Sequence, residues 1–128
     1  LSLRCYMQEN QRKKYVAHTR YAHYSPYKLR PYADVIRGKN VVYALNWLAT
    51  SATQRVKPVQ KTLESAVANA KHLGNVSADQ LIVKEIRVDQ GPMFRYFKPG
   101  AMGRANVYRK RFSHISIILE PVRNQKEV

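Results

Sequence analysis

The chain has 128 residues, which suffices for one domain with a modest core but not for two. Lysine and arginine number 23 against 8 acidic residues, so the formal net charge is +15. That excess favours a polyanionic partner, with an anionic membrane as the alternative. No apolar run approaches the roughly 18 residues of a membrane-spanning helix, and we predict no membrane contact. Cys5 is the only cysteine, which excludes an internal disulfide and a thiolate metal site.

The chain begins with a basic arm, a strand and a helix. Residues 1–14 predict an arm that settles on nucleic acid, with the remnant of a transit peptide as the alternative. Residues 15–24 favour β structure and contain no breaker, which predicts a strand. Ser25, followed directly by proline, predicts a capped helix that stops at Gly38. Pro31 conflicts with that helix, so either the helix is kinked there or its regular part begins there.

Two further helices are predicted downstream. Asn40 caps a short one. Its apolar stripe consists of Val41, Ala44, Leu45 and Leu48. Ser51 opens the third and longest helix, which stops at Gly74 and is bent in its first turns by Pro58. The apolar face of the third helix consists of Val56, Val59, Leu63, Val67, Ala70 and Leu73.

A long hairpin closes the chain. Residues 81–90 predict a strand, residues 91–104 a tip broken by glycine and proline, and residues 105–120 the returning strand. The element order predicts an α+β fold: a small antiparallel three-stranded sheet packed with three helices, plus a long extended β-hairpin.

These elements predict a simple domain organisation. One α+β domain occupies residues 15–120, with the extended hairpin at about 84–112 and its tip at 91–104. Residues 121–128 form a polar tail.

The hairpin tip carries the sharpest functional signal. No carboxylate occurs between Asp89 and Glu120. The cations in that interval are Arg95, Lys98, Arg104, Arg109, Lys110 and Arg111. Interleaved with them are Met93, Phe94, Tyr96, Phe97 and Met102. Aromatic side chains among cations suit stacking on bases and contact with phosphates, so we predict a tip that a nucleic acid orders. The alternative is a disordered surface loop.

The start of the first helix is a second candidate site. Free N–H groups and a positive dipole end at Ser25 suit a phosphate, and Lys28 and Arg30 follow directly. Arg20, Arg37 and Lys39 add charge nearby. The alternative is an ordinary capped helix with a solvated basic face.

The sequence does not favour catalysis. The four histidines are scattered along the chain and do not make a site, and no cysteine or paired carboxylate has metal-ligand spacing. Scattered acids do not suit a two-metal nuclease, so we predict no catalytic residue, no metal and no cofactor. An RNA-processing enzyme is the second hypothesis for the function. A free DNA-binding protein is the third, although the helix from Ser51 offers only Gln54 and Arg55 for base recognition.

Several blocks of residues resemble one known family. The blocks are Ser-Pro-x-Lys-x-Arg at 25–30, Ala-Asp at 33–34, Ile-Arg-Gly-Lys at 36–39, Leu-Glu-Ser-Ala-x-Ala-Asn-Ala at 63–70, Val-Asp-x-Gly-Pro at 88–92, Gly-Arg-Ala at 103–105 and Lys-Arg-x-Ser-His-Ile at 110–115. In this order and without insertion they resemble large-subunit ribosomal protein twenty-two, in its bacterial or organellar form. The similarity covers about residues 16–120.

The resemblance implies a structural protein of the large ribosomal subunit and not an enzyme. Its implied partners are ribosomal RNA, neighbouring ribosomal proteins and the nascent peptide, because the family's hairpin lines the peptide exit tunnel. The implied location is the bacterial cytoplasm or, for an organellar protein, the organelle matrix. Gly100 and Met102 depart from the family pattern, which usually has basic residues there, and Pro31 replaces an aliphatic residue.

Residue pattern and resemblance together define two candidate sites. The predicted RNA contacts are Arg20, Ser25, Lys28, Arg30, Arg37, Lys39, Lys57, Lys61, Arg95, Lys98, Arg104, Arg109, Lys110, Arg111 and His114. The predicted tunnel-facing residues are Met93, Phe94, Arg95, Tyr96, Phe97, Lys98 and Gly100.

Overall fold

Three helices and three strands make up residues 13–122, the part of the chain that the computed structural model describes. In chain order they are β1 (Tyr15–Ala22), α1 (Pro26–Ile36), α2 (Val41–Thr50), α3 (Val56–Gly74), β2 (Leu81–Pro99) and β3 (Ala105–Pro121). Short 3-10 turns occupy Ala78–Gln80 and Ala101–Gly103. Most of the predicted basic arm and polar tail, residues 1–12 and 123–128, lies outside the described residues.

The strands form one antiparallel sheet in the order β1-β3-β2. Alternate residues of the central strand β3, Ile115, Ile117 and Leu119, are fully buried, as period-two packing under a layer of helices requires. Leu63 on α3 and Ile86 on β2 join the same core. The predicted α+β fold, with three helices and a three-stranded antiparallel sheet, is therefore confirmed.

Beyond the part of the sheet that includes β1, strands β2 and β3 continue as a two-stranded ribbon. β2 and β3 stay in register from Met93 opposite Arg111 to Pro99 opposite Ala105. The sequence predicted that β2 ends at Gln90, but the Gly-Pro pair is absorbed as an irregularity between Gln90 and Met93. The irregularity requires glycine at position 91, since any other residue would place its Cβ atom only 2.9 Å from the carbonyl oxygen of Phe112. Beyond Met93, only the turn at residues 100–104 is unpaired.

Helix α1 runs unbroken through Pro31. The expectation that its regular part begins at Pro31 is therefore wrong. Ser25 occupies the cap position, but its side chain makes no capping hydrogen bond. By contrast, the predicted cap of α2 is confirmed, because Asn40 Oδ1 accepts a 2.9 Å hydrogen bond from the backbone N–H of Val42.

Helix α3 starts later than the sequence predicted. Ser51 ends α2 instead: its hydroxyl and its N–H donate to the carbonyl oxygen of Trp47, at 3.0 and 3.2 Å. Because α3 begins at Val56, Pro58 is its third residue, where a backbone N–H has no intrahelical partner to lose. The helix therefore needs no bend there. Its last residue is Gly74, and Asn75 takes the left-handed conformation that ends it.

The buried face of α3 is also rotated from the predicted one. Leu73 is 73% exposed, and Val67 is only partly buried. Ala66 and Thr62 are buried instead. The Thr62 hydroxyl shares a 2.7 Å hydrogen bond with Thr19 of β1, so a polar residue is satisfied inside the helix–sheet interface.

Candidate nucleic-acid interface

The part of the hairpin beyond the irregularity, residues 93–111, is the distal hairpin, and it has two faces of different chemistry. Residues directly opposite each other in an antiparallel pair project to the same side. One side, the guanidinium face, carries Met93, Arg95 and Phe97 opposite Arg111, Arg109 and Val107. The other side, the aromatic face, carries Phe94, Tyr96 and Lys98 opposite Lys110, Tyr108 and Asn106.

The guanidinium face concentrates like charge. Arg95 lies directly opposite Arg109, an arrangement that destabilises an isolated strand pair. Arg111 follows on the same face. The ion pairs within residues 13–122 involve Arg37, Lys84 and Arg87, and all of them lie outside the distal hairpin. A bound polyanion would remove this repulsion, which makes the face a natural site for phosphates.

An open cleft of about 720 Å³ lies between residues 107–111 of the hairpin and the start of α1. Its polar lining consists of His23, Ser25, Lys28, Tyr108, Arg109, Lys110 and Arg111. Five predicted RNA contacts, far apart in sequence, thus meet at one place. The positive end of the α1 dipole faces the same cleft, so an anion would meet helix and cations together.

A second groove, of about 450 Å³, lies between β1 and the first turns of α3. Arg20, Lys57 and Lys61 line it. Its wall includes Tyr21, which takes a positive φ of 58° where the β1–β3 register shifts between Thr19 and Ala22. The three predicted contacts are therefore neighbours, and the groove is a second place where cations converge.

Two predicted contacts turn toward the sheet. Nε and Nη2 of Arg30 each donate to the carbonyl oxygen of Val88 at 3.4 Å. Arg37 Nη2 donates to the carbonyl oxygen of Ile86 at 3.0 Å, while its Nη1 pairs with Asp34 at 2.8 Å. β2 is an edge strand, so these guanidinium groups satisfy carbonyl oxygens that lack a strand partner.

His114 and Lys39 also have partners within the protein. His114 Nδ1 accepts a 3.1 Å hydrogen bond from the N–H of Tyr21, whose ring lies edge-on at 5.0 Å. Lys39 Nζ lies 6.0 Å from the centroid of the Tyr43 ring. Both residues hold local structure in the free protein and stand outside the two cationic clefts.

The end of the hairpin is exposed and apolar. Phe97 is 71% exposed, and Met102 is fully exposed. The N–H of Gly100 donates to the carbonyl oxygen of Arg104 and closes the turn. A Cβ atom at Gly100 would lie 3.1 Å from Asn106 Nδ2, so a side chain at this position would crowd this amide.

Phe94 is part of the joint between hairpin and domain. Its ring packs edge-on against the Phe112 ring, with 5.4 Å between the ring centroids, and the His23 ring also packs against Phe112 at 5.0 Å. The sequence predicted Phe94 as a tunnel-facing residue but did not predict this anchoring contact. It also did not predict a role for His23, Asn106 or Tyr108. Counting strand pairs outward from a turn centred on Met102 would have placed Tyr108 opposite Tyr96.

The helix-free face of the sheet is chemically different from the hairpin. His18 Nδ1 and Ser116 Oγ lie 2.9 Å apart. Glu85 accepts a hydrogen bond from Arg87 and thereby raises the pKa of that guanidinium. Within residues 13–122, no three His, Cys, Asp or Glu side chains gather where they could hold a metal ion. No helix in this part of the chain is long and apolar enough to span a membrane.

The fold and the charge distribution define a class: a small basic α+β domain that projects a cationic, aromatic β-ribbon. Residues 17–120 match the family described as Ribosomal protein L22p/L17e. The chain belongs to that family.

Curated relatives agree with the family match. The large ribosomal subunit protein uL22 of Desulfitobacterium hafniense is 51% identical over 100 residues, covering 78% of this chain and 88% of the relative. The protein of the same name from Myxococcus xanthus is 48% identical over 105 residues, 80% of this chain and 92% of the relative. That of Geobacter sulfurreducens is 46% identical over 99 residues, 77% and 89% of the two chains.

Proposed function

We propose that this chain is a structural constituent of the large ribosomal subunit that binds ribosomal RNA and supports subunit assembly. The observation that carries the proposal is the cross-strand pair of Arg95 and Arg109, in a distal hairpin without carboxylates. Such a pair is unfavourable alone and favourable against phosphate. Membership of a ribosomal family and the names of the relatives support the same conclusion. The protein's role is structural and not enzymatic.

The binding mechanism is electrostatic and geometric. Phosphates occupy the cleft between Lys28 and Arg111 and the groove that Arg20 shares with Lys57 and Lys61. The domain core, which contacts no RNA, holds these cations in fixed positions. The chain works in the ribosome, in the cytoplasm if its source is bacterial or in the organelle matrix if it is organellar.

The distal hairpin lines the nascent-peptide exit tunnel and also contacts neighbouring ribosomal proteins at the subunit. Seven paired residues on each strand carry the turn roughly 20 Å beyond the sheet, at about 3.3 Å per residue. Phe97 and Met102 expose apolar surface at the end of the hairpin. Such a surface is unfavourable in water but is tolerated in a tunnel wall that faces a peptide.

The salt dependence of RNA binding tests the electrostatic mechanism. If the full-length protein neutralises roughly 7 phosphates of a large-subunit RNA fragment, its affinity falls by about 10³ or more between 50 and 200 mM salt. Replacing both Arg95 and Arg109 by glutamine should reduce the slope of log affinity against log salt by about 2. Lys71→Gln, an exposed lysine near the end of α3, is the matched control and should leave the slope unchanged. A flat salt profile for the unaltered protein would contradict the proposal.

Crosslinking tests the tunnel position separately. A photoreactive amino acid placed at Phe97 or Met102 in assembled ribosomes should crosslink to a stalled nascent peptide. The same probe at Leu73, which is exposed on α3, should give no peptide crosslink. Peptide crosslinks from Leu73 but not from the hairpin would show that another surface faces the tunnel.

A further inference from the structure

The aromatic face has a feature that phosphate binding does not explain. Tyr96 and Tyr108 lie directly opposite each other, midway along the distal hairpin. The two residues are 52% and 50% exposed, so a ligand can reach both rings. Lys98 Nζ lies 4.4 Å from the centroid of the Tyr108 ring. Asn106 is opposite Lys98 and completes the face.

We propose that this face is a binding site for an unpaired nucleobase of RNA. The base stacks on the Tyr108 ring, beside Tyr96, and takes the place of the Lys98 ammonium group. The ammonium moves on its flexible stem to the phosphate of the same nucleotide, exchanging a cation–π contact for a charge-assisted hydrogen bond. The Asn106 amide offers a donor and an acceptor to the base edge.

The chemistry of the site favours a nucleotide over a peptide. A nucleotide combines an aromatic face with a fixed negative charge, and the site combines aromatic rings with a cation close to them. Lys110 adds a second cation on the same side. A nascent peptide of variable sequence offers neither group at a fixed position. This inference rests on the proposed function, because it names the RNA group that one part of the interface takes.

A pair of probes separates stacking from charge. An oligoadenylate of twelve nucleotides and an abasic oligomer of the same length carry the same phosphates, but only the first carries bases. The unaltered full-length protein should bind the oligoadenylate at least about fivefold more tightly than the abasic oligomer. The double substitution Tyr96→Ile and Tyr108→Ile should abolish this preference without changing the salt slope, because isoleucine keeps the β propensity and removes the rings.

The matched control keeps the rings. Tyr96→Phe with Tyr108→Phe should preserve the preference for the oligoadenylate, and thermal melting should show that all variants are folded. The proposal is overturned if the isoleucine variant keeps the preference or the phenylalanine variant loses it. Loss of nascent-peptide crosslinks in the isoleucine variant with an intact base preference would assign the rings to peptide and overturn it too. Failure of the proposed function has a different signature, namely salt-independent binding of both oligomers.

Discussion

Gly74 shows how one missing atom can decide the packing of an element. It is the last residue of α3, and its Cα faces the buried ring of Tyr15 on β1. A Cβ atom there would collide with the Tyr15 hydroxyl and lie 2.8 Å from Cζ. Alanine normally stabilises a helix relative to glycine. Here we expect Gly74→Ala to lower the free energy of unfolding by about 1–3 kcal/mol, measured by urea denaturation.

A double-mutant cycle isolates the collision as the cause. In a Tyr15→Val background the ring is absent, so Gly74→Ala should be neutral or slightly stabilising. An equal destabilisation in both backgrounds would mean that the backbone at Gly74 and not the ring resists the substitution.

Individual residues also show what a sequence can and cannot predict. The Asn40 cap was predictable, because the cap and its N–H partner are two residues apart. The inward turn of Arg30 and Arg37 was not, because their carbonyl partners on β2 lie 58 and 49 residues away. A basic residue on a helix suggests charge for a ligand. Only the packing of α1 on an edge strand shows that these two also hold the fold together.

At the scale of elements, the hairpin was predictable in kind but not in length. Its β-favouring strands and cationic composition were visible in the sequence. The Gly-Pro pair after Gln90 suggested a break, yet cross-strand pairing resumes at Met93 because a bulge can absorb the irregularity. The start of α3 was misplaced for the opposite reason. Ser51 has the chemistry of a helix start, but the preceding helix uses it as an end.

The ordering of the hairpin by RNA is a prediction at this scale. Its exposed strands bury little apolar surface against roughly 1–2 kcal/mol of backbone ordering per residue, and its charges repel. Trypsin should therefore cut the free protein first after Arg95 and Arg104, and bound RNA should protect these two bonds. Cleavage within α3 is the internal reference, and a hairpin as resistant as α3 in the free protein would contradict the prediction.

The strand register also defines how to remove the hairpin cleanly. Met93 and Arg111 are cross-strand partners, so an Asn-Gly turn can join them in place of residues 94–110. The domain should stay folded, with a loss of about 1 kcal/mol from the missing contact of Phe94 with Phe112. Circular dichroism and urea denaturation measure this. An unfolded product would show that the hairpin is part of the folding core.

For the whole molecule, charge opposes stability and supports binding. Lysine and arginine outnumber acids by 23 to 8, and the described ion pairs are few and mostly exposed. The folded free protein is therefore destabilised by repulsion among its excess positive charges. Bound RNA lowers this repulsion, so folding and binding should respond to salt in opposite directions.

The opposite effects of salt on folding stability and on RNA affinity can be measured with the free protein and with its RNA complex. Raising sodium chloride from 0.1 to 1 M shortens the Debye length from about 10 to about 3 Å and screens the self-repulsion. The melting temperature of the free protein should rise by a few degrees, equivalent to about 1 kcal/mol, while RNA affinity falls. The variant with glutamine at Arg95 and Arg109 has two fewer positive charges and should show a smaller rise. If the free protein instead melts at a lower temperature in high salt, its positive charges are already compensated within the fold, and the polyanion is not needed to balance them.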